Sequence, residues 1–371
     1  MEVFQISFFG ATNSGKSTLV NAIAGQRVSL VSELPGTTTD PVRKRIELPG
    51  IGPCVLVDTA GYGDEGALGA ERERLTRAVI DSTDVAVLLR SGHPADPEWE
   101  SLLRKAGVPV VAVEGHPVIS SEGEAEVERS QPDFSSTVEM TIRRIAEALP
   151  HQEQRFLTGN LVKAGDVVLL VMPQDSEAPK GRIILPQVQV IRELLDRECV
   201  PVCCTPEMLN TALSKTSYNL VITDSQVFKK VNESVPLVTP LTSFSILLAA
   251  AKGDIGTFVE GAKAIDSLRP GDRVLIAEAC THVPDTEDIG RVKIPALLRR
   301  RADVGVDIAA GNDFPEDLSP YSLIVHCGAC VATSALVRSR TRKALLSGVP
   351  ITNYGIALAK LQGILERVAI R

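Results

Sequence analysis

The sequence predicts an α/β protein of three domains, and three observations support this prediction. Its 371 residues are more than one compact domain usually holds. At the N-terminus, an apolar run of strand length leads through a glycine-rich loop into a helical pattern. From residue 166 onward, short apolar strands alternate with helical segments, which is typical of parallel sheets covered by helices. We place the domains at residues 1–150, 155–240 and 241–371.

The composition argues against several classes of function. The formal net charge of −7 disfavours a general nucleic-acid or membrane binder, and an aromatic content of 4% disfavours base stacking. We see no charged-then-apolar leader and no apolar run of the roughly 20 residues that span a bilayer. We therefore expect a cytoplasmic protein with reduced thiols, in which three of the seven cysteines form a site.

The first domain begins with a phosphate-binding loop. The apolar run Phe4–Phe9 ends at G-x-x-x-x-G-K-S, residues 10–17, and a helix continues from Thr18. Backbone N–H groups of such a loop hold the β-phosphate, Lys16 neutralises the β- and γ-phosphates, and Ser17 binds Mg²⁺. The predicted nucleotide-binding residues are Gly10, Asn13, Ser14, Gly15, Lys16, Ser17, Thr18, Thr37, Thr38, Asp58 and Gly61.

Two further motifs of a nucleotide hydrolase follow in order. The first is Gly36-Thr37-Thr38-Thr39-Asp40, where Thr38 closes the magnesium shell when a switch loop orders. The second is Asp58-Thr59-Ala60-Gly61, which follows a buried strand. Asp58 is placed to hold Mg²⁺ through water, and the Gly61 N–H is placed to meet the γ-phosphate. The predicted catalytic set is Lys16, Thr38, Asp58 and Gly61.

These motifs resemble the translation-factor branch of small GTPases, in particular its members with a G-T-T-x-D switch. In that group, an asparagine at the position of Asn13 helps to bind a potassium ion that assists hydrolysis. Tyr62 stands where Ras-like GTPases carry a water-orienting glutamine. The resemblance therefore implies a cation-assisted hydrolysis that depends on no glutamine.

The guanine-reading motif N-K-x-D is missing. It is expected after the strand Pro109–Val113, but the next residues are Glu114-Gly115-His116-Pro117. Proline therefore replaces the aspartate that accepts two hydrogen bonds from guanine, and each unmet buried group costs roughly 1–3 kcal/mol. The first domain has either lost nucleotide specificity or reads the base by other groups.

The middle domain shows strand and helix patterns but no catalytic constellation. Strands are predicted at Asp166–Met172, Val200–Cys204 and Leu220–Thr223, with a helix at Pro186–Asp196. A small sheet without a site is most simply an association domain. Adjacent residues of a strand point to opposite faces, which argues against a metal site at Cys203 and Cys204. We expect these two thiols and Cys199 to be buried structural thiols.

The third domain carries two cysteine–histidine clusters, each just beyond a predicted strand. Cys280-Thr281-His282 follows the strand Arg273–Ala277, and His326-Cys327-Gly328-Ala329-Cys330 follows the strand Leu323–Val325. Helices are predicted after both, at Ile294–Arg301 and Ser334–Leu346. The carboxyl ends of parallel strands meet at one edge of a sheet, so we expect the clusters to converge.

Three thiolates and two imidazoles allow either zinc or an iron–sulfur cluster. A structural zinc site commonly uses two paired motifs, whereas this chain has only one C-x-x-C and a remote third cysteine. Three cysteines leave one iron of a 4Fe-4S cube without a thiolate. The residues favour an iron–sulfur cluster over zinc. A third interpretation is that these thiols and histidines bind no metal and only pack in the core.

The chain as a whole resembles the HydF family of FeFe-hydrogenase maturation GTPases. The C-x-H and H-C-x-x-C clusters carry this resemblance, and longer strings reinforce it along nearly the whole length. These strings are residues 179–189, 223–230, 240–245, 277–282, 288–295 and 348–355.

The resemblance implies a homodimeric scaffold with a GTPase domain, a dimerisation domain and a cluster-binding domain. Such a scaffold binds a 4Fe-4S cluster, hydrolyses GTP with Mg²⁺, receives a diiron precursor made with the radical-SAM enzymes HydE and HydG, and delivers it to apo-hydrogenase. Cys280, Cys327 and Cys330 correspond to the cluster ligands, whereas His282 and His326 are family positions of less defined role.

Two other functions remain open from the residues. One is a regulatory GTPase of the RNA-modification or ribosome-assembly kind, with a C-terminal domain stabilised by zinc. The acidic net charge and the low aromatic content argue against the RNA binding that this function requires. The other is a nucleotide sensor that no longer hydrolyses its ligand, because the base-reading motif is missing.

Overall fold

The computed structural model describes residues 3–25, 41–64, 67–114, 134–149, 156–174, 181, 183–279, 288–311, 313–330 and 332–370. The chain forms two compact units, Met1–Gln152 and Glu153–Arg371. The first unit contains one five-stranded sheet and the second contains two four-stranded sheets. The predicted α/β class with three domains is confirmed, while the predicted boundaries between the domains stay a prediction.

The first unit is a mostly parallel sheet in the order β2-β3-β1-β4-β5, in which only β2 is antiparallel to its neighbour. Its elements are β1 Phe4–Gly10, α1 Lys16–Ile23, β2 Val42–Leu48, β3 Gly52–Asp58, α2 Ala67–Ile80, β4 Val85–Arg90, α3 Asp96–Lys105, β5 Val110–Glu114 and α4 Phe134–Ala148.

Helices cover both faces of this sheet because its central strands are apolar on both sides. Phe8 of β1 packs in a cluster with residues of α1 and α4, whereas Phe9 packs in a second cluster with residues of α2 and α3. Successive residues of a strand point to opposite faces, so these two phenylalanines serve the two cores. The carboxyl ends of β1 and β3 consequently lie side by side at one edge.

The second unit carries two parallel sheets, in the orders β7-β6-β8-β9 and β11-β10-β12-β13. The strands of the first sheet and the helices that follow them are β6 Val167–Val171, α5 Leu185–Asp196, β7 Val200–Cys204, α6 Leu209–Leu213, β8 Leu220–Thr223, α7 Phe228–Ser234, β9 Leu241–Ser243 and α8 Phe244–Lys252. The remaining elements are α9 Ile255–Ala262, α10 Ala264–Ser267, β10 Arg273–Glu278, α11 Ile294–Arg301, β11 Gly305–Ala310, β12 Leu323–His326, α12 Ser334–Leu346, β13 Ile351–Asn353 and α13 Tyr354–Leu361.

The two sheets of the second unit repeat one pattern. Val171 pairs with Thr223 in the first sheet as Ala277 pairs with His326 in the second. The last strand of each sheet leads directly into a helix capped by its final residue, Ser243 or Asn353. The sequence shows traces of the same repetition, since G-R-x-x-x-P occurs at both 181–186 and 290–295.

The two sheets also share one apolar core. It joins residues of both sheets, such as Leu169 of β6 and Leu275 of β10, with the helices between them. Because this core is continuous, helices of the first sheet can reach loops of the second. Among the described residues, no helix is long and apolar enough to cross a membrane.

The structure corrects one prediction about the middle domain. Cys199 is buried as expected, and Cys204 is partly buried, but Cys203 is exposed. The prediction of three buried thiols is therefore wrong for Cys203. The reason is strand order, because β7 lies at the edge of its sheet and has an open side.

Candidate functional site

The phosphate loop follows β1 with the backbone shape that its sequence predicts. Asn13 and Gly15 adopt positive φ angles of 62° and 91°, and Gly15 immediately precedes α1. At Gly10, a Cβ atom would lie 2.7 Å from the Ser14 hydroxyl and 2.9 Å from the Leu89 carbonyl oxygen. Only glycine fits at this position, so the loop can turn tightly over the end of the strand.

Lys16 lies within the loop, with its ammonium group on main-chain carbonyls. Its Nζ donates hydrogen bonds to the carbonyl oxygens of Gly10 at 3.0 Å and Ala11 at 2.7 Å. Burial lowers the pKa of Lys16 to about 8, although the charges of Asp58 and Asp64 oppose this shift. An incoming polyphosphate would favour the charged form of this lysine.

Ser17 and Asp58, the two predicted magnesium residues within the described chain, contact each other directly. The Ser17 hydroxyl donates a hydrogen bond of 2.6 Å to Oδ2 of Asp58, which joins the start of α1 to the end of β3. Burial raises the pKa of Asp58, while the Ser17 hydrogen bond and the Lys16 charge act against this. Among the described residues, the buried Oδ1 of Asp58 has no partner. Hydroxyl and carboxylate oxygens are ligands that suit Mg²⁺.

Gly61 lies against the phosphate loop, as its predicted role requires. Its φ angle is 89°, and a Cβ atom there would lie 2.9 Å from Nζ of Lys16 and 3.2 Å from the Thr12 backbone nitrogen. The Thr12 N–H donates to the Tyr62 carbonyl at 3.0 Å, which fixes this contact. The structure therefore brings Gly10, Lys16, Ser17, Asp58 and Gly61 together. Thr18 lies exposed on α1, and Thr37 and Thr38 lie outside the described residues.

The side chain of Tyr62 packs against α3. Its ring stacks on Trp99 of α3 with centroids 4.8 Å apart, and its hydroxyl donates to Asp96 at 2.7 Å. Burial, with the help of Asp96, raises the pKa of Tyr62 well above its usual range. No local sequence pattern predicts this anchor, because its partners lie more than 30 residues away. The segment expected to carry the base-reading motif begins at the end of β5 and continues outside the described residues.

The cysteine clusters follow β10 and β12, which are neighbours in the second sheet. Cys327 N–H donates to the Ala277 carbonyl at 2.9 Å, continuing the strand pairing. Sγ of Cys327 accepts hydrogen bonds from the N–H groups of Ala279 at 3.1 Å and Ala329 at 3.4 Å. The residue before Cys280 thus contacts the second cluster. Cys280 and His282 themselves lie outside the described residues.

The loop from Cys327 to Cys330 is held by a lysine that the sequence did not indicate. Ala329 is buried with a positive φ of 50°, which is uncommon for a residue with a Cβ atom. Nζ of Lys252, the last residue of α8, donates to the carbonyl oxygens of Ala329 at 2.5 Å, Cys330 at 3.2 Å and Ala332 at 2.9 Å. These bonds fix the loop between the two cysteines.

His326 is buried, and both of its ring nitrogens have partners. Nδ1 lies 2.8 Å from the Cys327 carbonyl oxygen and Nε2 lies 3.3 Å from Nη1 of Arg340. Because a carbonyl only accepts and a guanidinium only donates, Nδ1 carries the proton and Nε2 accepts. Burial, then the Arg340 charge, lowers the pKa of His326 to about 4. To bind a metal, Nε2 would have to give up Arg340.

Arg340 of α12 is a second residue that the sequence did not indicate. It is 2% exposed, and its guanidinium donates to the carbonyl oxygens of Glu278 and Gly311 and stacks on Phe314. These partners lie at or just beyond the carboxyl ends of β10 and β11, and His326 ends β12. One side chain therefore joins the ends of three strands around the cysteine loop.

Further polar groups converge at this edge. Glu278, which is buried, forms an ion pair with Arg291 at 2.7 Å. The Tyr354 hydroxyl is buried without a partner among the described residues. A Cβ atom at Gly290 would lie 1.9 Å from this hydroxyl, so only glycine fits there. Burial, then the charges of Cys327 and Glu278, raises the pKa of Tyr354.

The residues at this edge fit a thiolate-bound metal group. Two amide N–H groups directed at Sγ of Cys327 stabilise a thiolate, the form that binds metals. A buried tyrosine hydroxyl without a partner lies near the same sulfur. Within the described ranges alone, however, no group of three or more His, Cys, Asp or Glu side chains is assembled. Any complete ligand set therefore needs residues beyond those ranges, such as Cys280.

Models of known protein families match three successive segments of the chain. Residues 157–253 match the hydrogen maturase F dimerization domain, and residues 256–370 match the hydrogen maturase F tetramerization domain. Residues 5–114 match the 50S ribosome-binding GTPase model, which ends at the last residue of β5. The two maturase models together span nearly all of the second unit.

The curated relatives are tRNA modification GTPases, each of which matches only part of this chain. The tRNA modification GTPase MnmE of Acidiphilium cryptum is 46% identical over 88 residues, which is 24% of this chain and 20% of the relative. MnmE of Hamiltonella defensa is 30% identical over 173 residues, covering 43% of this chain and 37% of the relative. The chain thus spans between a fifth and two fifths of the length of these relatives.

Solved structures show more distant similarity. Era from Aquifex aeolicus, bound to GDP and AlF4−, has 17% identity and a TM-score of 0.29, with 85% of this chain and 97% of that chain covered. The NFeoB protein of S. thermophilus, bound to GDP, AlF4− and K⁺, has 18% identity and a TM-score of 0.23, covering 40% and 62%.

Proposed function

Since this chain belongs to the hydrogen maturase F family, we propose that it is a scaffold of FeFe-hydrogenase maturation. Its chemistry is to hold a 4Fe-4S cluster, to receive a diiron precursor, and to deliver that precursor to apo-hydrogenase. Its GTPase domain supplies the switch that controls this transfer.

The observation that carries the proposal is the contact between the two cysteine segments. The N–H of Ala279, the residue before Cys280, donates to Sγ of Cys327. Because β10 and β12 are adjacent and parallel, both segments leave the sheet at the same edge. Cys280, Cys327 and Cys330 are the proposed cluster ligands, and His282 follows Cys280 closely in sequence.

When bound on three cysteines, a 4Fe-4S cluster presents one iron without a thiolate, which suits a carrier that holds cargo and then releases it. The chain's own residues prepare this site. Ala279 and Ala329 stabilise the thiolate of Cys327, Arg340 joins the strand ends, and His326 holds Arg340 as a neutral imidazole. The Tyr354 hydroxyl is a donor available to a sulfur or to a cargo atom.

The nucleotide site supports GTP binding with Mg²⁺ as the switch. Lys16, Ser17, Asp58 and Gly61 already lie together, so phosphate and magnesium need little rearrangement. Thr37 and Thr38 complete the magnesium shell in the proposal, and Asn13 helps to bind K⁺. Since N-K-x-D is missing, groups outside the usual motif read the base.

Self-association uses the outer face of α5 in this proposal. Leu185, Val188 and Leu195 are 44%, 46% and 52% exposed, and their spacing places them along one side of the helix. They lie within the segment that matches a dimerization domain, so the proposed occupant is a second copy of this chain. The other proposed partners are apo-hydrogenase and the radical-SAM enzymes HydE and HydG.

Activation of apo-hydrogenase tests the scaffold role. We expect wild-type protein, reconstituted anaerobically and loaded with the diiron precursor, to activate apo-hydrogenase, and Cys327→Ser to fail. A zinc-filled, EPR-silent wild type that activates nothing would instead favour a regulatory GTPase with a zinc-stapled domain.

Nucleotide turnover tests the switch separately. We expect hydrolysis of GTP that rises when K⁺ replaces Na⁺, with little hydrolysis of ATP. If neither nucleotide is hydrolysed but GTP still binds, the first domain is a sensor and the enzyme assignment fails.

A further inference from the structure

We propose that Lys252 is a positioning residue for the metal group on the cysteine loop. Its ammonium fixes the main chain between Cys327 and Cys330 and places a positive charge on the loop that joins the two cysteines. The inference rests on the proposed function for the identity of the metal group, but its geometry belongs to the chain alone.

The helix that presents Lys252 belongs to the first sheet, not to the sheet that carries the cysteines. α8 starts where β9 ends, and the Ser243 side chain caps its first turn through the Ile246 N–H. A Cβ atom at Gly328 would lie 4.0 Å from Cβ of Ser245, in the first turn of α8. The helix thus approaches the cysteine loop at its first turn and binds it at its last residue.

The partners of Lys252 are unusual for a lysine at a helix end. Such lysines commonly interact with the last carbonyls of their own helix. Lys252 donates to three carbonyls that lie 77 to 80 residues further along the chain. Charged donors make hydrogen bonds about twice as strong as neutral ones, so this contact is a substantial restraint on the loop.

The loop needs such a restraint because of its backbone. Ala329 lies in the left-handed region, where a residue with a Cβ atom is strained. Lys252 binds the carbonyl of this residue and that of Cys330, which together determine the direction of the second thiolate. Partners of this kind orient metal ligands, and their loss typically weakens metal binding by 10- to 100-fold.

The charge of Lys252 has a second consequence. A cluster on thiolates becomes more negative when it is reduced, so a nearby ammonium stabilises the reduced form more than the oxidised form. Removing this charge should lower the midpoint potential of the cluster. A residue with a purely structural role would not shift the potential in this direction.

Three variants test the inference in the full-length protein. Lys252→Met removes the donors and charge but keeps the apolar stem, and Lys252→Arg restores both. Lys360→Met is the matched control, because Lys360 lies in the last turn of α13 and pairs with Asp266 instead of the cysteine loop. Each metal-free protein is first compared by thermal unfolding and by amide hydrogen exchange over residues 327–332.

After anaerobic reconstitution, we expect Lys252→Met to lose iron to a chelator about tenfold faster than wild type. Its midpoint potential should be lower, and exchange in the loop should be faster in the metal-free protein. Lys252→Arg and Lys360→Met should behave like wild type. Equal iron retention, potential and loop exchange in wild type and Lys252→Met would overturn the inference.

The scaffold proposal fails by a different result, namely a wild type that takes up no iron. If that protein binds zinc, zinc retention provides the same comparison among the variants. If Lys252→Met does not fold, the loop exchange and potential of Lys252→Arg decide. Values close to wild type in both would support the inference, whereas a loop that exchanges freely in Lys252→Arg would contradict it.

Discussion

The phosphate loop and the cysteine loop have similar backbone features, but the contacts that hold each loop in place come from different parts of the chain. Both follow the carboxyl end of a parallel strand, β1 in the first unit and β12 in the second. Both contain a residue other than glycine at positive φ, Asn13 at 62° and Ala329 at 50°. In both, a lysine ammonium donates to carbonyl oxygens of the loop.

The difference is where the lysine comes from. Lys16 is part of the phosphate loop itself, whereas Lys252 reaches the cysteine loop from a helix of the neighbouring sheet. The residues that hold the phosphate loop therefore lie next to one another in sequence, and a short motif specifies them. The cysteine loop takes its shape from long-range contacts of the second unit, and it should be sensitive to changes far from the cysteines.

The largest effect is expected at Lys16. Lys16→Ala removes two or more charge-assisted hydrogen bonds to phosphate, each worth about 1.5–3 kcal/mol, so nucleotide affinity should fall about a thousandfold. Lys105→Ala, which changes an exposed lysine of the same unit, should bind as wild type does. Calorimetric titration with a non-hydrolysable GTP analogue measures both. Similar affinity in Lys16→Ala would show that the loop does not bind phosphate as proposed.

Arg340 tests the claim that the cysteine loop is assembled from distant parts. Arg340→Met removes the guanidinium donor of the Gly311 carbonyl and of His326 Nε2, and leaves the Glu278 carbonyl with the Gly311 N–H as donor, so the free energy of unfolding should fall by about 3 kcal/mol. Urea denaturation of the metal-free protein measures this. Arg299→Met, at an exposed position of α11, is the control and should change little. A loss in Arg340→Met no larger than in the control would contradict a central role for Arg340.

The sequence predicted the phosphate loop in detail but the cysteine loop only in outline. Gly10, Lys16 and Ser17 lie together at the end of β1, whereas Thr18 is exposed, and the roles of these residues in nucleotide binding stay a prediction. The convergence of the cysteine segments also followed from their positions after two strands. Lys252 and Arg340 left no signal because they bind backbone carbonyls, which every residue offers.

Strand order accounts for the remaining error. The exposure of Cys203 depends on β7 being an edge strand, and no local pattern states which strand takes the edge. The repeated G-R-x-x-x-P string was a usable signal for the shared topology of the two sheets. Comparing the two halves of the second unit with each other predicts one topology for both sheets, but it does not say which strands are central.

The outer face of α5 is the proposed surface of self-association in the second unit. Its inner face packs on α8, since Val190 and Leu194 share a cluster with Phe244 and Leu247. Val188→Lys should weaken self-association about tenfold, because a charge replaces an apolar contact at the proposed dimer face. Sedimentation velocity over a concentration series measures this, with Met140→Lys on the exposed side of α4 in the first unit as the control. Equal dissociation constants for Val188→Lys and wild type would place the dimer face elsewhere.

The smallest effect concerns the pH dependence of nucleotide binding. Because Lys16 has a pKa of about 8 in the free protein and phosphate favours its charged form, binding takes up a proton above that pH. Affinity should therefore fall about fourfold between pH 7 and 8.5. Calorimetry at pH 8.5 in two buffers of different ionisation enthalpy detects the proton. Binding without proton uptake would show that Lys16 keeps its charge in the free protein.

The central proposal, that the loop after β12 binds an iron–sulfur cluster, is tested most directly by paired substitutions. Asp224 follows β8 in the first sheet as Cys327 follows β12 in the second. Anaerobic reconstitution with iron analysis and EPR should give a cluster in wild type and in Asp224→Asn, and little or none in Cys327→Ser. The same iron content and EPR signal in all three proteins, or zinc in place of iron in wild type, would contradict the account.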